Sequence, residues 1–209
     1  LAAQSSMTVT QVAAINCIDD PNALRREIER LNAPANRARM VAGYCWDWKS
    51  KTKADEVDVT IPEHRFGMRW NLASDEGLWI TAKDSVKEIG CIHTCQGLEV
   101  DYIGVIVGPD LVVRDGEVIT RPEMRSQQDQ TIKGWKAEAK RDPEGARRKA
   151  DAIVRNTYRT LMTRGMKGCY LYCADPALGN YMKTRSAVHT SPPIPLSKAA
   201  EDPEGYQTS

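Results

Sequence analysis

The stretch Gly90-Cys91-Ile92-His93-Thr94-Cys95-Gln96-Gly97-Leu98-Glu99-Val100-Asp101-Tyr102-Ile103-Gly104-Val105-Ile106-Val107 runs from an apolar end, through a polar turn, into five residues with no polar face. A strand with one side in water alternates apolar and polar positions. Residues 103–107 do not, so they are predicted to form a central parallel strand covered on both sides by helices. That reading sets the fold class as α/β, and the sequence on either side extends it.

Downstream, Leu111-Val112-Val113 and Val118-Ile119 flank Asp115-Gly116, the pairing that favours a tight primed turn, so a β-hairpin is expected. A long helix is predicted from Asp142-Pro143-Glu144, with Ala146, Ala150, Ile153, Val154, Tyr158, Leu161 and Met162 on one face and a stop at Gly165 or Gly168. Cys169-Tyr170-Leu171-Tyr172-Cys173 follows as another core strand, which gives the strand and helix alternation of a parallel sheet. Upstream, Asp19-Asp20-Pro21 opens a helix with Leu24, Ile28 and Leu31 on one face and an end near Asn32 to Pro34. Residues 39–46 read as a core strand. Residues 56–80, with Val57, Val59 and Ile61 alternating and Trp70, Leu72, Leu78 and Trp79 around turn signals, read as an irregular strand-rich insertion. The domain is placed at 19–185, after an N-terminal extension 1–18 and before a flexible tail 186–209 containing Pro192, Pro193, Pro195 and Pro203.

The whole chain has 209 residues, 41% of them hydrophobic and 27% charged, which suits one soluble domain and excludes general disorder. No apolar run approaches the roughly 18 residues of a membrane helix and no signal peptide is recognisable, so a cytoplasmic protein with no membrane partner is expected. The six cysteines then read as reduced thiols. A formal net charge of +1 hides an uneven distribution: residues 121–168 carry 13 Lys/Arg against 6 Asp/Glu. Such a segment suits phosphate-bearing partners and equally suits a solvated helix face.

Cys91, His93, Cys95, Cys169 and Cys173 invite a zinc reading, which their spacing opposes. Residues 169 and 173 of one strand lie about 13 Å apart at roughly 3.3 Å per residue, too far to share an ion. No metal is therefore expected. Residues 91–102 also have a purely structural reading, in which Gly97 permits a tight turn, Glu99 caps a short helix and His93 is a satisfied buried histidine. In Asn156 to Gly165, Arg159 and Arg164 can simply complement the helix dipole.

Taken in order, Ile92–Asp101 and Leu161–Gly165 resemble motifs V and VI of the second RecA-like domain of superfamily-one helicases. More closely, RMVAGYCWDW (39–48), PEHRFGMRWNL (62–72), GCIHTCQGLEVDYIGVIVGPD (90–110) and NTYRTLMTRGMKGCYLYC (156–173) resemble the helicase-like family called domain of unknown function 2075. The resemblance implies a RecA-like, P-loop-NTPase-type parallel sheet flanked by helices. It further implies the C-terminal half of an ATP-dependent nucleic-acid helicase or translocase. By the same match Arg164 is the catalytic arginine finger, while Gln96, Gly97, Glu99 and Arg164 face the nucleotide and His93 and Thr94 a single strand of DNA or RNA. The sequence departs from that pattern in carrying Arg159 for Tyr and Gly165 for Ala. No Gly is followed by Lys, so the Walker phosphate loop is absent. ATP and Mg²⁺ would then bind only with an N-terminal RecA-like partner domain, and the chain alone would be inactive. The alternative is a non-catalytic nucleic-acid-binding or protein-interaction module retaining the fold.

Overall fold

The computed structural model of the chain describes residues 15–190 apart from 54, 72–78, 81, 96 and 98, and of 83 and 187–190 the backbone alone. Leu72, Leu78, Gln96 and the tail 191–209 lie outside the described residues. In chain order the elements are β1 (Ile15–Cys17), α1 (Pro21–Asn32), β2 (Ala38–Ala42), β3 (Val59–Ile61), β4 (Phe66–Trp70), β5 (Glu88–Gly90) and β6 (Val100–Val107). They continue as β7 (Leu111–Arg114), β8 (Glu117–Thr120), the short α2 (Trp135–Glu138), α3 (Pro143–Met162), β9 (Gly165–Cys173) and α4 (Pro176–Thr190). Seven strands form one sheet in the order β1-β9-β6-β2-β5-β4-β3, parallel except for β3 against β4; β7 and β8 form a separate hairpin. This is the mostly parallel, helix-flanked α/β sheet consistent with a RecA-like fold.

The two apolar faces of β6 have two different owners. Ile103, Val105 and Val107 join Val154, Tyr158 and Leu161 of α3 in one core, together with Val41 and Leu171. Ile106 joins Leu24 and Ile28 of α1 with Met40 and Tyr172 in the other. Gly104 is the point of closest approach, since a Cβ there would lie 2.6 Å from Ile28 Cγ1. Burying large aliphatic side chains on both faces contributes about 1.5–3 kcal/mol each, which explains why the central strands carry so little polarity.

Helix starts follow the local chemistry. Asp20 caps α1 by accepting from Asn22 N and Ala23 N, with Pro21 at the first position. Asp142 caps α3 through Gly145 N. In the hairpin, Asp115 and Gly116 both have positive φ, 52° and 79°, as a primed turn requires.

Three boundaries differ from the expectation. Residues 59–70 are part of the sheet and not an insertion, because β4 pairs in parallel with β5 (Trp70 opposite Ile89) and β3 adds the sheet's edge. Phe66, Met68 and Trp70 are buried in the core beneath α1's face, an alternation too short to be assigned to a sheet without its long-range partner. Strand β2 stops at Ala42 rather than at 46, and a Cβ on Gly43 would sit 1.9 Å from Tyr158 Oη. Strand β1 falls within 1–18 and α4 runs to Thr190, so the sheet and its cover draw on residues from both flanks of 19–185. Among the described residues no helix is long and apolar enough to cross a membrane.

Candidate nucleotide and nucleic-acid edges

Strands β5 and β6 lie on opposite sides of β2 and run parallel to it, so residues 91–99 must pass from the C-terminal end of one to the N-terminal end of the other. This crossing carries most of the candidate residues and delivers them to two separate edges.

At its start, Thr94 N and Cys95 N both donate to the Cys91 carbonyl (3.1 and 3.2 Å). Thr94 Oγ1 accepts from Cys91 N at 2.8 Å and lies 3.2 Å from Asn71 Oδ1. The Thr94 hydroxyl therefore shapes the turn, while His93 beside it is exposed. They border a recess of about 350 Å³ shared with Tyr44, Trp48, Lys51, Asn71 and Gln128. Gly97, in mid-crossing, has φ +73°, and nothing stands within 4 Å of where its Cβ would be. Its glycine is required by backbone conformation, at an open surface.

At the other end, Val100 N donates to the Arg164 carbonyl at 3.0 Å, and Val100 pairs with Gly165 as β6 meets β9. Glu99, exposed, and Arg164, partly exposed, thus stand on neighbouring strand starts. Arg164 Nε donates to the Thr160 carbonyl (3.2 Å) at the C-terminal end of α3, where a cation is favoured by the helix dipole. The departure from Ala at 165 has a steric cause: a Cβ there would lie 2.3 Å from Gly168 O and 2.8 Å from Ile103 Cγ2. Arg159, the other departure, is exposed on α3.

Arg39 was not singled out by the sequence, yet it lines the same tight seam as Arg164, with Trp79, Cys95 and Ile103. It is fully buried and no carboxylate pairs with it among the described residues. Its nitrogens donate instead to Asn32 Oδ1 (2.7 Å), Asn36 Oδ1 (3.0 Å), Ala82 O (3.3 Å) and the Ile80 carbonyl, at the negative end of α1. Burial pulls its guanidinium down to about 10, still charged at neutral pH. Nearby, Lys167 and Arg37 both reach Asp101 at 2.8 Å, and hydrogen bonds from these two cations hold its carboxyl below the usual range. The N-terminal edge of the sheet therefore gathers Arg37, Arg39, Arg164 and Lys167 against Asp101 and Glu99.

Arg164 and Glu99 thus place one guanidinium and one exposed carboxylate on neighbouring strand starts, and the sequence carries no phosphate-cradling loop. Among the described residues no group of three His, Cys, Asp or Glu is placed to hold a metal ion. Cys169 and Cys173 lie in one strand, two strands beyond β2 from the turn that holds Cys91 and Cys95. Burial pushes the Cys95, Cys169 and Cys173 thiols up to about 12, so they are neutral packing groups.

The family model described as "Schlafen group 3, DNA/RNA helicase domain" matches residues 2–175. Uncharacterized protein YPL245W of Saccharomyces cerevisiae is 26% identical over 164 residues, covering 77% of this chain and 34% of that protein. The chain spans about a third of the length of that curated relative. No solved structure matches it significantly. A helicase-domain match over most of the chain agrees with the helix-flanked parallel sheet and its cationic edge, and the chain belongs to the Schlafen group 3 DNA/RNA helicase domain family.

Proposed function

We propose that this chain is the second RecA-like half of an ATP-dependent nucleic-acid helicase or translocase, with Ile92–Asp101 as motif V and Leu161–Gly165 as motif VI. The likeness to the domain of unknown function 2075 belongs to the same proposal. The observation that carries it is the Val100 N–H to Arg164 C=O bond, which joins the ends of two segments about 60 residues apart in sequence on one sheet edge. Phosphoryl transfer needs positive charge where negative charge shifts, and an arginine from a neighbouring domain supplies it on closure. ATP with Mg²⁺, held against a partner RecA-like domain, would bring the phosphate chemistry. Arg164 would offer its planar fork, Glu99 a carboxylate for a sugar hydroxyl, and Gly97 an open backbone. Gln96 would link this edge to the recess of His93 and Thr94, where single-stranded DNA or RNA would lie.

The test is Arg164→Lys in the full-length protein that carries this segment. Nucleic-acid-stimulated ATP turnover should fall by about a thousandfold while nucleotide binding stays near normal, because Lys keeps the charge and loses the fork. A guanidinium serving only the dipole of α3 predicts near-normal turnover and a stability change of about 0.3–1 kcal/mol.

A further inference from the structure

Beside the recess of His93 and Thr94 lies a larger groove of about 800 Å³, continuous with it through Tyr44, Trp48, Lys51, Gln128 and Gln130. Its wall is the loop that follows β2, and that loop is built rigidly. The buried Asp58 carboxylate accepts from Lys49 N (2.7 Å), Ser50 N (2.8 Å), Ser50 Oγ (2.5 Å) and Trp70 N (2.8 Å). Trp48 N donates to Gln128 Oε1 at 2.8 Å, which ties the loop to the opposite wall. Trp48 is thereby a half-buried indole packed against the core at one side and bordering the groove at the other. Lys51 Nζ stands 5.9 Å from the ring centroid. Of the acidic groups in the groove, Glu56 is paired with Lys53 and Asp47 accepts from Ser126 Oγ. Lys49 and Lys51 form no ion pair with a carboxylate among the described residues.

We propose that Trp48 is a base-stacking platform for single-stranded nucleic acid, with Lys49 and Lys51 on the backbone phosphates and Gln128 and Gln130 on base edges. The proposal rests on the reading of His93 and Thr94 as the nucleic-acid side and extends that path with residues outside motifs V and VI. A preorganised indole, ammonium groups within one side-chain length and neutral amides opposite are the combination that binds splayed bases. The lysine now over the indole occupies the place a base would take, and on displacement it is free to meet a phosphate. A duplex shows only its backbone and groove edges to such a recess and has no free base to stack there.

The experiment measures anisotropy of fluorescein-labelled oligo-dT and oligo-U, about 12 nucleotides long, and of a matched duplex, with the 209-residue chain at about 50 mM salt. Thermal unfolding of each variant runs in parallel. Trp48→Ala should weaken single-strand binding about tenfold and Trp48→Phe should restore most of it, since Phe keeps a π face. Lys51→Gln, an exposed change that spares the loop, should lower the slope of log K against log salt by about 0.7. A 2-aminopurine in the strand should be quenched by the wild-type chain, a readout needing no variant. Wild-type affinity in a folded Trp48→Ala, or an unquenched bound 2-aminopurine with an unchanged salt slope in Lys51→Gln, would overturn the platform. If His93→Ala weakens binding and Trp48→Ala does not, the platform falls and the motif V reading stands; the reverse pattern keeps the platform and removes that reading. No single-strand binding by the wild type, or equal affinity for duplex, removes both.

Discussion

Tyr158 shows how one hydroxyl can hold three segments together. Its oxygen accepts from Gly108 N at 2.9 Å, donates to the Asp110 carboxylate, and occupies the space that a side chain on residue 43 would need. Asp110 also pairs with Arg125 at 3.2 Å, and both of these side chains are fully enclosed. Burial raises the Asp110 pKa, an effect the neighbouring guanidinium works against. Tyr158→Phe should therefore cost about 1–3 kcal/mol in urea unfolding, because it leaves a buried N–H and a buried carboxylate each short of a partner. A variant as stable as wild type would show that another acceptor reaches the Gly108 N–H and another donor the Asp110 carboxylate. The sequence placed Tyr158 on the core face of its helix and said nothing of the hydroxyl, whose partners lie 48 and 50 residues away. Gly165 is the same kind of case: its departure from the helicase pattern is explained only by the carbonyl of Gly168 and by Ile103 on the adjoining strand. Residue roles fixed by tertiary neighbours leave no local trace.

Elements were far more legible, wherever a local signal was complete. The caps at Asp20 and Asp142, the Asp115-Gly116 turn and the uninterrupted apolar run of β6 each contain their own physics within a few residues. Strands β3 and β4 do not, since a few alternating residues are compatible with an insertion or with a sheet until the pairing of β4 to β5, and of β3 to β4, is seen. Asp175 joins elements in a way that pH can test. Its carboxylate accepts from Leu178 N (2.8 Å) in α4, from Val113 N (3.2 Å) and from Arg114 Nη1 (2.7 Å) in the hairpin. Burial pushes its pKa up, but the bonds from Arg114, Leu178 and Val113 together bring it below the ordinary value. A carboxyl depressed in the folded state contributes stability above its unfolded pKa of about 3.9, and that contribution is lost as pH falls through the folded value. Asp175→Asn should thus be less stable at neutral pH, by about 1 kcal/mol, and should lose less stability than wild type between about pH 5 and the acid limit. Parallel melting curves in acid for the two proteins would refute this.

At the scale of the molecule, the crossing of residues 91–99 over β2 separates one cationic edge, with Arg164 and Glu99, from a second opening lined by His93, Trp48 and Lys51. On the proposed reading the chain presents one wall of a nucleotide cleft. Purified alone, it should show no ATP turnover above background, because it lacks the phosphate loop and the hydroxyl that would hold Mg²⁺. Steady turnover unaffected by Arg164→Ala would defeat the half-motor proposal. Global pairing was the least legible level: the sequence predicted a parallel sheet but could not order its strands, and it left Ile15–Cys17 outside the domain.

That strand has a bearing on how the protein is made. Ile15 pairs with Cys169, and Cys17 with Leu171, so the earliest of the described strands to be made docks beside the latest of them. Synthesis proceeds at about 5–20 residues per second, which leaves roughly 8–30 seconds between the appearance of the two partners. Throughout that interval β1 lacks its strand partner among the described residues, and the sheet under α1 lacks β9 with its Cys169, Leu171 and Cys173. Closure of the fold is therefore deferred until residues 165–173 have emerged, and a nascent chain stalled before that point offers chaperones the unpaired edges of β1 and β6.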